Sequence, residues 1–163
     1  MSIEVLNETD HEVEEHEFVG ISRYVLAEMR VHPQAELCIR MVDEETMSVL
    51  HEQWMDLSGP TDVMSFPMDE LEPGREGEEP QEGVLGDIVL CPSVAAKQAA
   101  DAGHATIEEM LLLTTHGILH LLGFDHAEPD EEKEMFELQR QLLLTFLAGR
   151  GWETRALPDS SSV

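Results

Sequence analysis

The chain is poor in cations. Nine lysines and arginines face 35 aspartates and glutamates, a formal net charge of −26 over 163 residues. A field of that sign repels nucleic-acid phosphates and slows their encounter, which excludes a broad electrostatic grip on RNA or DNA. Any such contact must rest on a local basic patch, a metal ion or a partner. Cysteine is scarce as well. Cys38 and Cys91 are the whole complement, too few for the disulfide framework of a small secreted domain. Both fall in apparent strands, where buried reduced thiols are expected. No apolar run approaches the length of about 18 residues that a membrane span needs. Met1-Ser2-Ile3-Glu4 shows neither the basic nor the apolar part of a signal peptide, so none is expected.

What is present fits one domain. The length and the 42% hydrophobic content suit a single globular unit with a real core. Acidic residues cluster at Glu8 to Glu17, Asp69 to Glu82 and Glu128 to Glu137. Ile3 to Leu6 reads as a first strand, and Glu12 to Met29 as an amphipathic helix with Val13, Phe18, Ile21, Val25 and Met29 near helical spacing. Ala35 to Val42 alternates: Leu37, Ile39 and Met41 on one side, Glu36, Cys38 and Arg40 on the other. Asp43 caps a helix from Glu44 to about Trp54. Ser58-Gly59-Pro60 breaks it. Asp62 to Met68 reads as a strand, near an edge because Pro67 cannot donate to a ladder. Asp69 to Gly83 is a loop. Val84 to Cys91 is a strand, and Pro92 opens a helix running to about Ala102. Thr106 and Glu109 form a capping-box pattern for the next helix, and Asp130 to Leu147 is the last. The order βαβαββααα predicts an α/β (α+β) fold, a small mixed sheet of about four strands packed with helices. Residues 1–153 form the domain, and the polar stretch 154–163 is expected to be a disordered tail.

The chemistry concentrates at His116-Gly117-Ile118-Leu119-His120-Leu121-Leu122-Gly123-Phe124-Asp125-His126. Residues four apart stand one turn above each other on a helix, so His116 and His120 can aim at a shared point. Gly123 can end the helix in a left-handed conformation. The chain can then turn back and deliver His126. Three neutral imidazoles with an open fourth position describe a catalytic zinc site better than a structural one. The competing reading is three unrelated histidines. Against it stands the apolar setting, because buried imidazoles need partners and a metal supplies one. The spacing is that of the metzincin peptidase helix, except that Gly117 occupies the position of the catalytic Glu. The cradle is kept and the peptidase base is missing.

With these segments placed, the chain closely resembles the YbeY family of bacterial metal-dependent endoribonucleases, from Ser2 to about Leu144. The resemblance rests on Pro60-Thr61-Asp62-Val63-Met64-Ser65-Phe66-Pro67, on Leu85-Gly86-Asp87-Ile88-Val89-Leu90-Cys91-Pro92, and on His116-Gly117 through His126. It implies a zincin-like metal-binding helix with one zinc ion held by His116, His120 and His126. It also implies cleavage of single-stranded RNA, 3′-end maturation of the 16S ribosomal RNA precursor, ribosome quality control at the small subunit, and neither DNA nor membrane partners. Many members carry an aromatic residue followed by an arginine before the Pro-Thr-Asp stretch. Here the pair is Trp54-Met55, and a methionine offers no charged fork to a phosphate.

The remaining site residues stay open at this level. Asp125 adjoins a ligand and can serve as a base or orient a histidine, or simply form the turn. Arg40 and Lys97 are candidate cations for RNA, or ordinary surface charges. Ser65 and Thr61 can line a substrate groove, or pack a strand. Glu109 can support His116 or cap its helix. His51 and His104 lack spaced partners and are not expected to be ligands. Two other functions compete: a zinc peptidase or amidase, and a non-catalytic ribosome-assembly factor with a structural metal.

Overall fold

The computed structural model of the protein describes residues 2–125 and 127–149. Among these the elements run β1 (Ser2–Asn7), α1 (Glu15–Glu28), β2 (Glu36–Met41), α2 (Glu44–Met55), β3 (Val63–Pro67), β4 (Val84–Leu90), α3 (Pro92–Ala102), α4 (Thr106–Leu121) and α5 (Pro129–Gly149). The expected order is observed, with ends shifted by at most three residues. The sheet order is β1-β2-β4-β3. The first three are parallel, and β3 runs antiparallel along the edge. Pro67 ends that edge strand, where its missing N–H leaves no ladder bond unmade.

Alternation decides which face each strand buries. Leu37, Ile39 and Met41 are buried, Glu36 is exposed, and Cys38 and Arg40 are half-buried on the other face. Cys38 thus sits on the outer face of the sheet and departs from the expected buried thiol, while Cys91 is fully buried; both are free. The main core joins the inner face to α1, α4 and α5 through Phe18, Ile39, Ile88, Leu111 and Leu143. A smaller apolar cluster lies on the opposite face. There Met64 and Val89, paired across β3 and β4, meet Met47 of α2, with Val42 and Cys91.

Local signals set most helix starts. The Asp43 carboxylate accepts from the Thr46 N–H at 2.8 Å, which satisfies one orphan donor of α2 and holds its carboxyl below the usual range. Pro92 is the first residue of α3, where a missing N–H is harmless. The helix α4 differs. Its N-cap is Ala105, with no side-chain cap bond, so the Thr106–Glu109 capping box does not form. Glu109 is instead fully buried and bonded to His104.

The fold is organised around α4. Every residue from Glu109 to Leu119 is buried, because the helix packs against α1, α3, α5, β3 and β4 at once. The hydroxyls of Thr114 and Thr115 donate back to the carbonyls of Met110 and Leu111, at 2.8 and 2.9 Å. Their polar groups are thereby satisfied inside the helix.

Gly86 lets the edge strand approach. It has φ +144°, and a Cβ there would lie 2.3 Å from the Phe66 carbonyl oxygen. Gly86→Ala should therefore cost about 1–3 kcal/mol in backbone strain alone. Thermal unfolding checks this, at about 2–4 °C per kcal/mol for a chain of this size. An unchanged melting temperature would show that β3 can move aside freely.

Candidate functional site

The histidine helix ends as its glycine demands. Gly123 has φ +98°, its N–H reaches the His120 carbonyl at 3.0 Å, and the Phe124 N–H reaches the Leu119 carbonyl at 3.0 Å. This pair of bonds is a Schellman motif. Phe124 packs against the core just beyond it, so the chain reverses directly after α4.

His116 and His120 lie side by side on the last two turns. Their ring centroids are 4.4 Å apart, with planes at 82°. His116 is buried, and its Nδ1–H donates to the Gln139 amide oxygen at 2.8 Å. That bond selects the tautomer and leaves Nε2 as the lone-pair nitrogen of the ring. Gln139 comes from α5 and is itself buried. No short-range signal marks it: it stands 23 residues from His116. His120 is half-buried.

Two grooves meet at these rings. One, of about 620 Å3, is lined by Trp54, Thr61, Ser65, Phe66, His116, His120 and Asp125 among others. The other, of about 750 Å3, is lined by Glu70, Leu71, Arg75, His120, Phe124 and Asp125 among others. His120 and Asp125 belong to both. Asp125 is exposed, two residues past the helix-ending glycine. His126 lies outside the described residues, as does the stretch 154–163.

The other sequence candidates divide. Ser65 lines the first groove, and its hydroxyl reaches the Gly117 carbonyl at 3.4 Å. Thr61 lines it too and bonds to Asp62. Arg40 does not join the site. It lies on the outer face of β2, paired with Glu8 at 2.8 Å. Lys97 sits on α3, 3.3 Å from Glu44, and lines neither groove. Among the described residues, the cation that does line one of these grooves is Arg75, within an acidic loop whose composition gave it no prominence. The loop is pinned there by buried Leu71 and by Gly74, whose N–H bonds to the Met29 carbonyl at 2.9 Å.

Gly117 has a structural explanation. A Cβ at this position would meet the Ile88 side chain at 3.1–3.2 Å. The residue next to the first histidine thus points at the sheet, so a carboxylate there would be driven into the core.

Glu109 neither caps α4 nor supports His116. It bonds to His104 Nε2 at 2.7 Å, with both side chains fully buried. Burial pushes its carboxyl above the usual range, the His104 hydrogen bond and charge pull it back, and the negative charge of Asp62 adds to the rise. The sequence showed no recognisable motif for this pair. Another group also lacked a spacing signal. His16 lies 3.2 Å from Glu17 and 3.8 Å from Glu14, and together they form a group that could hold a cation. It lies on the first turn of α1, with Glu14 and His16 exposed.

Fold and paired imidazoles define the class: an α+β protein whose candidate site sits on one buried helix, at the junction of two grooves. The family profile described as Endoribonuclease YbeY matches residues 4–147. A relative from Beutenbergia cavernae bearing that name is 69% identical over 150 residues, spanning 92% of this chain and all of the relative. Those from Kineococcus radiotolerans and a Nocardioides species, with the same name, are 63% and 60% identical. They align with 93% and 91% of this chain, and with 90% and 99% of their own. A solution structure from Thermotoga maritima superposes with a TM-score of 0.64 at 25% identity, covering 91% of both chains. The chain belongs to the YbeY endoribonuclease family. Among the described residues no helix is long and apolar enough to cross a membrane.

The buried pair yields a stability prediction. Glu109→Ala should cost about 3–5 kcal/mol, because it strands a buried imidazole. A carboxyl raised on folding stabilises fully at pH below the ordinary glutamate range, and that contribution is lost as pH rises through the folded-state value. Glu109→Gln should remove this component. Denaturant titrations at several pH values should therefore give the variant a flatter profile than the parent. Parallel profiles would refute the assignment.

Proposed function

We propose that the chain is a zinc-dependent endoribonuclease specific for single strands, acting through one domain over residues 1–153 in the cytoplasm. Its substrate is the 16S ribosomal RNA precursor at the small subunit, in 3′-end maturation and ribosome quality control. One zinc ion is held by His116, His120 and His126. The observation that carries this reading is the His116–Gln139 hydrogen bond. It locks a buried ring in the tautomer a metal ligand needs, beside a second imidazole 4.4 Å away. The donor set therefore fits a divalent cation with nitrogen ligands.

When bound there, zinc supplies a Lewis acid for a phosphoryl oxygen and a water of pKa near ~7. The protein's own groups do the rest. Asp125, which lines both grooves, would take a proton from the attacking oxygen or orient a histidine. Ser65 lines the groove from β3. Arg75 offers the second groove a guanidinium fork for a phosphate. Met55 lines the other groove, which has no lysine or arginine among its described residues. The position of Gly117 against Ile88 weighs against peptidase chemistry, since a base at that position would face the core.

Elemental analysis and cleavage of a single-stranded RNA test the reading together. Purified protein should carry about one equivalent of zinc, and chelation should abolish cleavage. Gln139→Ala should lower metal affinity about 10–100-fold with the fold retained. His116→Ala should lose cleavage while staying folded; loss of folding with the metal would favour a structural ion. For Arg75, the expected result is weaker binding across all RNA sequences on Arg75→Ala, with the slope of log affinity against log salt reduced by about 1. An unchanged slope would remove Arg75 from the substrate path.

A further inference from the structure

The groove that holds His116 contains an exposed tryptophan. Trp54 closes α2, where Asp56 caps the helix with φ +55°, and 61% of its surface is open. Neighbouring Met55 and Leu57 are 58% and 51% exposed. A tryptophan this open, among other apolar side chains, marks a binding surface more than a packing residue. Its ring is not loose. It packs against Phe66 of β3 in a T-shaped pair, centroid to centroid 5.9 Å, with planes at 73°. One turn earlier, the His51 imidazole bonds to the Gly59 carbonyl at 2.9 Å and ties the following loop to the helix. The indole is thus held in place by a strand that also carries Ser65.

Charge limits what this groove can bind, and how. Among the described residues lining it there is no lysine or arginine, and Asp62 and Asp125 are both present. With a net charge of −26, phosphate contacts cannot hold a strand there through side-chain cations. What the wall offers is an apolar plane. A nucleobase stacks on such a plane whatever its sequence, and only an unpaired base exposes the face to do so.

We infer that Trp54, backed by Phe66, is a positioning residue that stacks an unpaired base of the RNA strand next to the histidine pair. The inference rests on the endoribonuclease reading and adds to it the origin of single-strand preference. Duplex RNA keeps its bases stacked on one another, so it cannot occupy the tryptophan without melting. The strand then leaves through the second groove past His120, toward Arg75.

The test uses full-length protein. The chain has two tryptophans, Trp54 and Trp152, so Trp152→Phe makes Trp54 the only indole. Adding a single-stranded 2′-O-methyl oligonucleotide should quench its fluorescence, and a matched duplex should not. In cleavage assays Trp54→Ala should raise KM about 5- to 100-fold with kcat within about twofold, and Trp54→Phe should restore most of the loss. The salt dependence of KM should be the same in parent and Trp54→Ala, because stacking releases no counterions. Substrates with abasic sites across the bound stretch should erase the difference between the two. A Trp54→Ala protein that keeps the parental KM, together with an indole unquenched by single strands, overturns the inference and leaves the patch to a protein partner. Absence of cleavage by the parent protein would instead defeat the endoribonuclease reading, and the quenching measurement would still decide the stacking.

Discussion

A helix enclosed on nearly all sides makes a polar side chain without any partner costly, although Glu109 Oε1 and Gln139 Nε2 stay unbonded. That constraint governs α4. Its threonines answer it by bonding back to their own turn. His104 and Glu109 answer it by pairing with each other. His116 answers it by donating to Gln139 on a different helix. Once that bond is made, the ring has one orientation and one tautomer, and its second nitrogen is committed to the groove side. The candidate site is a consequence of how the core satisfies its own polar groups.

The acidity of the chain then shapes the surface around the site. A nuclease that repels its substrate at long range needs short-range contacts that do not depend on the overall field. The structure offers three groups of different kinds along two adjoining grooves: a pair of imidazoles, a single arginine on an anchored loop, and an exposed indole packed against Phe66. None is a basic patch. Charged groups placed elsewhere are spent on local pairs, as Arg40 with Glu8 and Lys97 with Glu44 show. Such exposed pairs contribute little to stability.

Much of the fold was legible because its signals are local. Alternation in β2 named the buried face through Leu37, Ile39 and Met41. Asp43 and Pro92 marked helix starts, and Gly123 marked the end of α4, each through backbone chemistry that neighbours do not alter. Pro67 announced an edge strand. The capping box at Thr106 misled because its glutamate found a stronger claim: a buried imidazole five residues earlier in the chain. A side chain that can cap a helix or pair in the core goes where desolvation makes the partner most necessary. Around the candidate site, the closeness of His116 and His120 was readable from their spacing. Gln139 and Arg75 were not, since each reaches the site from a segment with its own unremarkable pattern.

By itself, then, the order of residues determined the periodicities, the caps, the glycine that ends the histidine helix and the pairing of two imidazoles one turn apart. These depend on interactions within a few residues, where covalent geometry leaves few choices. Tertiary structure alone decided that Gln139 would orient His116, that Arg75 rather than Arg40 or Lys97 would face a groove, and that Gly117 would be a packing residue against Ile88. Those outcomes turn on which surfaces meet when α4 is enclosed, and contacts between residues distant along the chain leave no periodic trace in it.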